Sequence, residues 1–157
     1  KSKNTPSVIA LSRQKLPYIN PKLSENNECE KGAYIVKMNS HDCKVTLVAS
    51  GSEVELALNV HDALQKNNIE SKVVSMPSQE LFDKQTEDYK KSILDKESLI
   101  VTIEAGNVSS WKKYLGSNGI SLGINRFGES APYKKIYEHL NLSVEKIVIT
   151  IQDKLRK

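Results

Sequence analysis

The sequence predicts an α/β fold, a doubly wound sandwich whose mostly parallel sheet is covered by helices on both faces. Short apolar runs rich in β-branched residues alternate with longer amphipathic segments, most clearly at residues 45–49 and 53–67. This alternation is typical of βαβ units. The length of 157 residues is enough for one compact domain with its own core. With two cysteines, Cys29 and Cys43, the chain has no disulfide framework.

The first predicted element is a short strand over residues 7–12, an apolar run of β-forming residues. Pro17 and Pro21 follow it and predict an extended linker, and polar residues 20–31 predict a surface loop. Residues 1–22 contain five basic residues and no acid. This part of the chain is therefore interpreted as the tail of a preceding unit, joined by a linker to the sandwich.

The regular alternation begins with two predicted strands, 33–37 and 45–49. A predicted helix over 53–67 follows, with Ser52 as its N-cap and acidic residues in its first turn, where the helix dipole favours them. Apolar residues recur on one face of this helix at helical spacing: Val54, Ala57, Leu58 and Leu64.

The second half of the chain continues the pattern. The predicted elements are, in chain order, a strand at 72–76, helical material at 79–94, a strand at 99–104, a helical segment at 109–115, and helices at 132–140 and 144–155. Four glycines lie between residues 116 and 128 and interrupt the periodic pattern. Pro132 suits the first turn of a helix, and Ser143 suits an N-cap.

The charge distribution excludes several classes of partner. The chain has 23 basic and 19 acidic residues, a net charge of +4, but residues 23–157 hold 18 basic and 19 acidic residues. Because residues 23–157 carry no cluster of basic residues along one face, we expect no nucleic-acid partner.

The sequence also lacks membrane and export signals. No apolar run reaches the roughly 20 residues of a membrane span, and no secretory signal is recognisable, so we expect no membrane partner and a cytoplasmic location.

Motifs for catalysis and cofactor binding are missing from this sequence. It has neither the dinucleotide fingerprint, nor a phosphate-binding P-loop, nor a G-x-S-x-G nucleophile elbow. Cys29, His41 and Cys43 lack the number and spacing of a structural zinc site. The turn at 51–53 has a phosphate-binding shape, but Glu53 would repel an anion, which favours a capped helix. We therefore predict no catalytic, metal or cofactor-binding residue in this chain.

Arg13 is the candidate functional residue. It directly follows the apolar run 7–12, and no acid lies near it in sequence. Loops that follow the strands of an α/β sheet commonly meet ligands. A guanidinium offers forked donors that match a phosphate. Arg13 is thus a phosphate-binding residue, a member of a salt bridge, or an ordinary surface arginine.

Several motifs, in order along the chain, resemble the transketolase family. The matching runs are T-P-S-V-I-A-L-S-R-Q-K-L-P at 5–17, L-V-A-S-G-S-E-V at 47–54, V-V-S-M-P at 73–77, F-D-K-Q at 82–85, W-K-K-Y at 111–114, G-I at 119–120 and R-F-G-E-S-A-P at 126–132. Each run alone is a weak signal, but together they cover nearly the whole chain. The resemblance is to the C-terminal third of the enzyme.

The resemblance implies the rest of the expected function. The family transfers a two-carbon ketol unit between sugar phosphates, with thiamine diphosphate and a divalent metal, Mg²⁺ or Ca²⁺, held by the preceding domains across a homodimer interface. We therefore expect no cofactor bound to this fragment and no activity from it alone. The resemblance also implies a three-layer α/β/α sandwich with one antiparallel strand, and it assigns Arg13 to the sugar phosphate.

Two segments follow from this interpretation. Residues 1–31 are the tail of the preceding domain and a linker, and residues 32–157 are a C-terminal domain with a structural, dimer-supporting role. Two alternatives stay open: a stand-alone α/β module that binds an anionic metabolite, and the C-terminal domain of another thiamine diphosphate enzyme. An independent hydrolase or dehydrogenase is disfavoured because the motifs for those reactions are missing.

Overall fold

The computed structural model of the protein describes residues 4, 6–12, 14–19 and 27–156. Five strands form one sheet; in chain order they are β1 (Tyr34–Met38), β2 (Val45–Ala49), β3 (Ser71–Ser75), β4 (Leu99–Ile103) and β5 (Ile120–Leu122). Their order across the sheet is β1-β3-β2-β4-β5. Two of the neighbouring pairs, β1–β3 and β2–β4, are therefore not consecutive in the chain.

Helices cover both faces of the sheet. They are α1 (Glu53–Lys66), α2 (Gln79–Asp83), α3 (Glu87–Ile93), α4 (Tyr133–His139) and α5 (Val144–Leu155), with 3₁₀ turns at Glu28–Lys31 and Ser109–Tyr114. Helices α1 and α5 pack on one face, and α2, α3 and the second 3₁₀ turn pack on the other. This confirms the predicted three-layer α/β/α sandwich.

The sheet is parallel except at one edge. Strand β2 pairs in parallel with β3 and β4, and β5 pairs in parallel with β4. Strand β1 runs antiparallel to β3, with Tyr34 opposite Ser75 and an irregularity between Ile35 and Lys37. The expected single antiparallel strand is thus confirmed at the β1 edge.

Two hydrophobic cores lie on the two faces of the sheet, because successive strand residues point in opposite directions. In β2, Val45, Leu47 and Ala49 pack against α1 and α5, whereas Val48 joins the opposite core. Every residue of β2, β3 and β4 is buried. Such continuous burial is typical of parallel strands covered on both faces.

Two predicted elements differ from the observed ones, and one observed strand has no predicted counterpart. The helical stretch predicted at 79–94 is two helices, because Thr86 caps a new helix by accepting a hydrogen bond from the Tyr89 N–H. The segment predicted as helical at 109–115 is a 3₁₀ turn. Strand β5 was not predicted, since it is three residues long and lies within the glycine-rich stretch.

Of the three residues predicted at helix N-termini, one caps its helix as expected and two differ. The Ser143 hydroxyl accepts a hydrogen bond from the Lys146 N–H and caps α5 as predicted. Ser52 occupies the N-cap position of α1, but its hydroxyl donates to the Glu53 carboxylate instead of capping the backbone. Pro132 lies at the N-cap of α4, one position before the predicted first turn.

The strand predicted at residues 7–12 is not among the strands of the described structure. Residues 6–12 belong to no helix or strand. Val8, Ile9 and Leu11 are 95%, 80% and 84% exposed. A strand becomes stable through a neighbour that completes its hydrogen bonds and covers its side chains, and the described residues provide no such neighbour here.

None of the helices in the described ranges has the length and apolarity that crossing a bilayer would need.

Candidate functional site

The carboxyl ends of β2 and β4 lie side by side at one edge of the sheet, since Ala49 pairs with Ile103. The chain leaves β2 through α1 toward β3 on one side, and it leaves β4 toward β5 on the other side. The connections therefore diverge between these two neighbouring strands, which is where ligands bind in open α/β sheets. Glu53 opens α1 after β2, and Glu104 directly follows β4. These two acids define the carboxyl-edge cluster, together with Ser52, Trp111 and Tyr137.

Glu53 is the buried acid of this cluster, with 5% of its surface exposed. Its Oε1 accepts hydrogen bonds from the Tyr137 hydroxyl at 2.6 Å and from the Ser52 hydroxyl at 2.7 Å. Burial, and then the hydrogen bond to Glu53, raise the pKa of Tyr137, so its hydroxyl stays a proton donor. A buried carboxylate needs such partners. Glu53 therefore ties α4 to the start of α1.

Glu104 is the second acid, and it anchors the segment after β4. Its Oε2 accepts a hydrogen bond from the Trp111 indole N–H at 3.1 Å. Burial raises the pKa of Glu104, the charge of Glu53 raises it further, and the hydrogen bond from Trp111 lowers it. Two neighbouring carboxyl groups make this edge unfavourable for a phosphate. The turn at 51–53 is accordingly a structural helix start.

The hydrogen bond between Tyr137 and Glu53 is predicted to contribute measurably to stability. Tyr137→Phe should lower the free energy of unfolding by about 2 kcal/mol, since a buried carboxylate loses a donor. Urea denaturation measures this change. Tyr133→Phe is the matched control, because Tyr133 is 40% exposed and its hydroxyl has no hydrogen bond among the described residues. Equal effects of the two substitutions would contradict this role of Glu53.

The R-F-G-E-S-A-P motif lies in the loop between β5 and α4. The side chain of Arg126 forms an ion pair with Glu129, whose carboxylate also lies 3.4 Å from His139 Nε2. Phe127 is 98% exposed. Residues 124–128 and 105–107 line an open groove of about 680 Å³ beside it. The motif thus presents an aromatic side chain outward instead of contributing it to the core.

Arg13, the predicted phosphate-binding residue, lies outside the described residues. The next residue along the chain, Gln14, lines a cavity of about 260 Å³ together with Ser52, Tyr137 and Ser143. Further along the linker, residues 17–19 line a cavity of about 390 Å³ over the β1 and β3 edge. The described part of the linker therefore runs along the carboxyl edge of the sheet.

One histidine, for which the sequence suggested no partner, forms a hydrogen bond with a serine in the structure. His61 in α1 lies with its Nδ1 2.8 Å from the hydroxyl of Ser71, the first residue of β3. Both side chains are fully buried. The backbone N–H of Ser71 donates to Asn39 Oδ1. A nucleophile must reach its substrate, so this buried pair contributes to the core and not to catalysis.

Because His61 is buried, the free energy of unfolding is expected to fall in mild acid. Burial and the charge of Lys37 lower the pKa of His61, whereas the charges of Asp62 and Glu70 and a hydrogen bond to the Ser71 backbone raise it less. Above about pH 6.5 the His61 side chain is neutral in both the folded and the unfolded protein. Below that pH the unfolded chain takes up a proton first, so the free energy of unfolding falls until the lowered pKa is reached, by at most about 1.4 kcal/mol per pH unit.

Denaturant titrations between pH 7.5 and pH 5 measure this dependence. His61→Asn should remove the part of the slope that comes from His61, at some cost in overall stability. His41→Gln, which changes an exposed histidine, should keep it. An unchanged slope in His61→Asn would show that other groups cause the acid sensitivity.

Among the described residues, Cys29, His41 and Cys43 do not form a metal-binding cluster. The Cys43 thiol donates to the Ser40 carbonyl oxygen, and the Cys29 sulfur lies 3.9 Å from the Tyr34 hydroxyl. Over the described ranges, no group of three or more His, Cys, Asp and Glu residues is arranged to hold a metal ion.

Comparison with known proteins gives one consistent family. A family model described as "Transketolase-like TK C-terminal domain" matches residues 32–143. The chloroplastic transketolase of Craterostigma plantagineum is 44% identical over 151 residues, which are 94% of this chain and 29% of that protein. The transketolase of Aquifex aeolicus is 36% identical over 98% of this chain and 23% of its own length. The chain thus spans less than a third of these relatives.

The solved structures agree with this comparison. A crystal structure of a Pichia stipitis transketolase in complex with sedoheptulose 7-phosphate aligns with a TM-score of 0.75 and 31% identity. The alignment covers 82% of this chain and 18% of that chain. The similarity therefore extends over most of the α/β sandwich described above.

Proposed function

Since this chain belongs to the transketolase family through its C-terminal domain, we propose that it is the C-terminal part of a ketol-transferring enzyme of the pentose phosphate pathway. The complete enzyme would move a two-carbon unit from a ketose phosphate to an aldose phosphate. The observation that carries the proposal is the 44% identity over 94% of this chain to a relative named transketolase. The family match also supports transketolase over another thiamine diphosphate enzyme as the parent.

The proposed role of this domain is structural: it supports the other domains and the homodimer. The carboxyl-edge cluster supports this role, because its two acids are used to hold α4 and the Trp111 segment against the sheet. In addition, Phe127 and the groove beside it leave an apolar surface that an adjoining domain can cover.

The cofactors of the proposed enzyme are thiamine diphosphate and Mg²⁺ or Ca²⁺. When bound, thiamine diphosphate supplies the carbanion chemistry of ketol transfer. The described residues of this chain do not fit either group. No three or more His, Cys, Asp and Glu residues among them are arranged to hold a metal ion, and the carboxylates of Glu53 and Glu104 at the carboxyl edge of β2 and β4 would repel a diphosphate. We therefore assign both cofactors to the preceding domains and derive no step of the reaction from this chain.

Arg13 is the residue of this chain that we propose to contact substrate, through the sugar phosphate. Residues 1–22 contain no acid that would neutralise its guanidinium locally. A forked cation can hold a phosphate dianion by two parallel hydrogen bonds and so orient the sugar. The sedoheptulose 7-phosphate named for the Pichia stipitis structure is a ligand of the kind that this proposal requires.

We further propose that residues 1–31 belong with the preceding domain and residues 32–157 form the C-terminal domain. The exposed side chains of Val8, Ile9 and Leu11 support this division, because an apolar strand without a neighbour has unpaired backbone groups and uncovered side chains. Pairing with a sheet of the preceding domain would satisfy both. The same feature counts against a stand-alone module for an anionic metabolite.

Co-purification tests this division. The 157-residue chain and a second chain carrying the preceding domains of the same enzyme are expected to form a complex. Ile9→Lys should weaken it by at least about tenfold, since a charge would enter the proposed strand interface. Ile149→Lys is the matched control, because Ile149 in α5 is also exposed, at 52%. Absence of a complex, or equal binding by both variants, would contradict the division.

The proposed location is the cytoplasm, with the pentose phosphate pathway. Several plant relatives are named chloroplastic, so imaging of the fluorescently tagged complete enzyme is the appropriate test. Localisation to an organelle would overturn this part of the proposal without affecting the activity.

A further inference from the structure

We propose that this domain binds a small phosphorylated metabolite in a cavity at the amino edge of its parallel strands. The cavity has a volume of about 470 Å³, within the usual range for small-molecule sites. Three lysines line it: Lys44 precedes β2, Lys96 precedes β4, and Lys154 lies in the last turn of α5. We refer to it as the lysine cavity.

The lysines come from three separate elements that the fold brings together. The amino ends of β2 and β4 lie side by side because Val45 pairs in register with Leu99. The carboxyl end of α5 reaches the same edge and contributes Lys154 and Leu155. Residues 44, 96 and 154 are far apart in sequence, so no local charge run could have indicated this site.

None of the three ammonium groups forms an ion pair with an acid of the described residues. Six other basic residues do: Lys31, Lys37, Lys90, Lys113, Arg126 and Arg156. Glu97 is the acidic residue that lines the cavity with them. Three positive charges thus face one negative charge, and an incoming anion would not have to displace an existing partner.

This excess does not reflect a basic protein as a whole. Residues 23–157 contain 18 basic and 19 acidic residues. A local excess of positive charge, within a domain whose total charge is near zero, gives a positive potential that a recessed cavity focuses. The carboxyl end of α5 opposes it with its dipole, and Lys154 is placed to offset that dipole. The attraction for an anion therefore depends on all three lysines together.

The remaining lining indicates what kind of anion fits. Ser117 and Asn118 provide polar side chains, while Leu99, Leu115 and Leu155 provide apolar walls. A phosphate group could meet the ammonium groups, and the carbon part of the metabolite could pack on the leucines. Because the lysine cavity lies at the opposite edge of the sheet from Glu53 and Glu104, the inference does not depend on the proposed function.

Calorimetric titration of the 157-residue chain with pyrophosphate tests the proposal. We expect saturable binding that weakens as the salt concentration rises. The triple variant Lys44→Gln, Lys96→Gln, Lys154→Gln should raise the dissociation constant at least about tenfold. The control triple variant Lys66→Gln, Lys91→Gln, Lys146→Gln removes the same charge from exposed positions elsewhere, so both variants fall from +4 to +1.

The placement of the charge decides the outcome. Retained binding by the control, with loss in the cavity variant, would support the lysine cavity. Equal losses in both variants would show that overall charge attracts the anion, and absence of saturable binding by the unmodified chain would also overturn the proposal. Because a folding defect could imitate loss of binding, circular dichroism checks that each variant is folded. The single variant Lys96→Gln, which changes the protein less than the triple variant, is titrated as well.

Discussion

Replacing Arg13 by alanine in the complete enzyme is expected to raise KM for phosphorylated substrates by roughly thirtyfold while changing kcat little. The proposed contact is a charge-assisted hydrogen bond to the sugar phosphate, for which about 2 kcal/mol is a typical contribution. A group that binds the phosphate equally in the ground and transition states affects KM and not kcat. Steady-state kinetics with a ketose phosphate donor and an aldose phosphate acceptor measure both constants.

Lys15→Ala is the control for this prediction. Lys15 is an exposed cation two residues from Arg13 in the same acid-free segment. If the segment acts only through its general positive charge, the two substitutions should have similar effects. An unchanged KM for both donor and acceptor in Arg13→Ala would contradict the assignment of this residue.

Gly32→Ala is expected to destabilise the domain by about 3 kcal/mol. Gly32 follows the first 3₁₀ turn with φ of +81°, a conformation that costs an L-residue roughly 1–2 kcal/mol. A Cβ atom there would lie 2.8 Å from the backbone carbon of Leu81 and closer still to Phe82 N and Ser78 O. Backbone atoms cannot rotate away, so relieving this overlap adds a cost comparable to overpacking a core, about 1–3 kcal/mol.

Gly116→Ala separates the two contributions to that loss. Gly116 also has a positive φ, +66°, but a Cβ atom there would meet no other atom within 4 Å. It should therefore cost only about 1 kcal/mol, from the backbone conformation. Thermal or urea unfolding compares the two variants. Equal losses would show that the close approach of Gly32 to the 78–82 segment is unimportant for stability.

The architecture was predictable because its signals are local and repeated. The strand at 45–49 and the helix starting at 53 are apparent from β-branching, apolar spacing and acids in the first turn, and the structure has both at those positions. The three-residue β5 could not be predicted because a short strand is stable only through its pairing with a neighbour. The split at Thr86 is different, since it comes from a local N-cap in which the Thr86 hydroxyl accepts a hydrogen bond from the Tyr89 N–H.

The carboxyl-edge cluster was predictable only in part. Glu53 and Glu104 each follow a buried strand, and this pattern could have indicated that the two acids meet at one edge of the sheet. The contribution of Tyr137, which lies 84 positions after Glu53 in the sequence, has no such signal. The same is true of the lysine cavity, because the pairing of β2 with β4 brings its residues together. The His61–Ser71 pair depends instead on how α1 packs on β3, the strand that follows it.

The most direct test of the central claim is a ketol-transfer assay of the 157-residue chain, alone and mixed with a chain that carries the preceding domains of the same enzyme. The mixture should contain thiamine diphosphate, Mg²⁺ and two sugar phosphate substrates. We predict no transfer by either chain alone and measurable transfer when both are present. Ketol transfer by the 157-residue chain alone, or no transfer by an assembled complex of the two chains, would contradict the claim that this chain is the C-terminal part of such an enzyme.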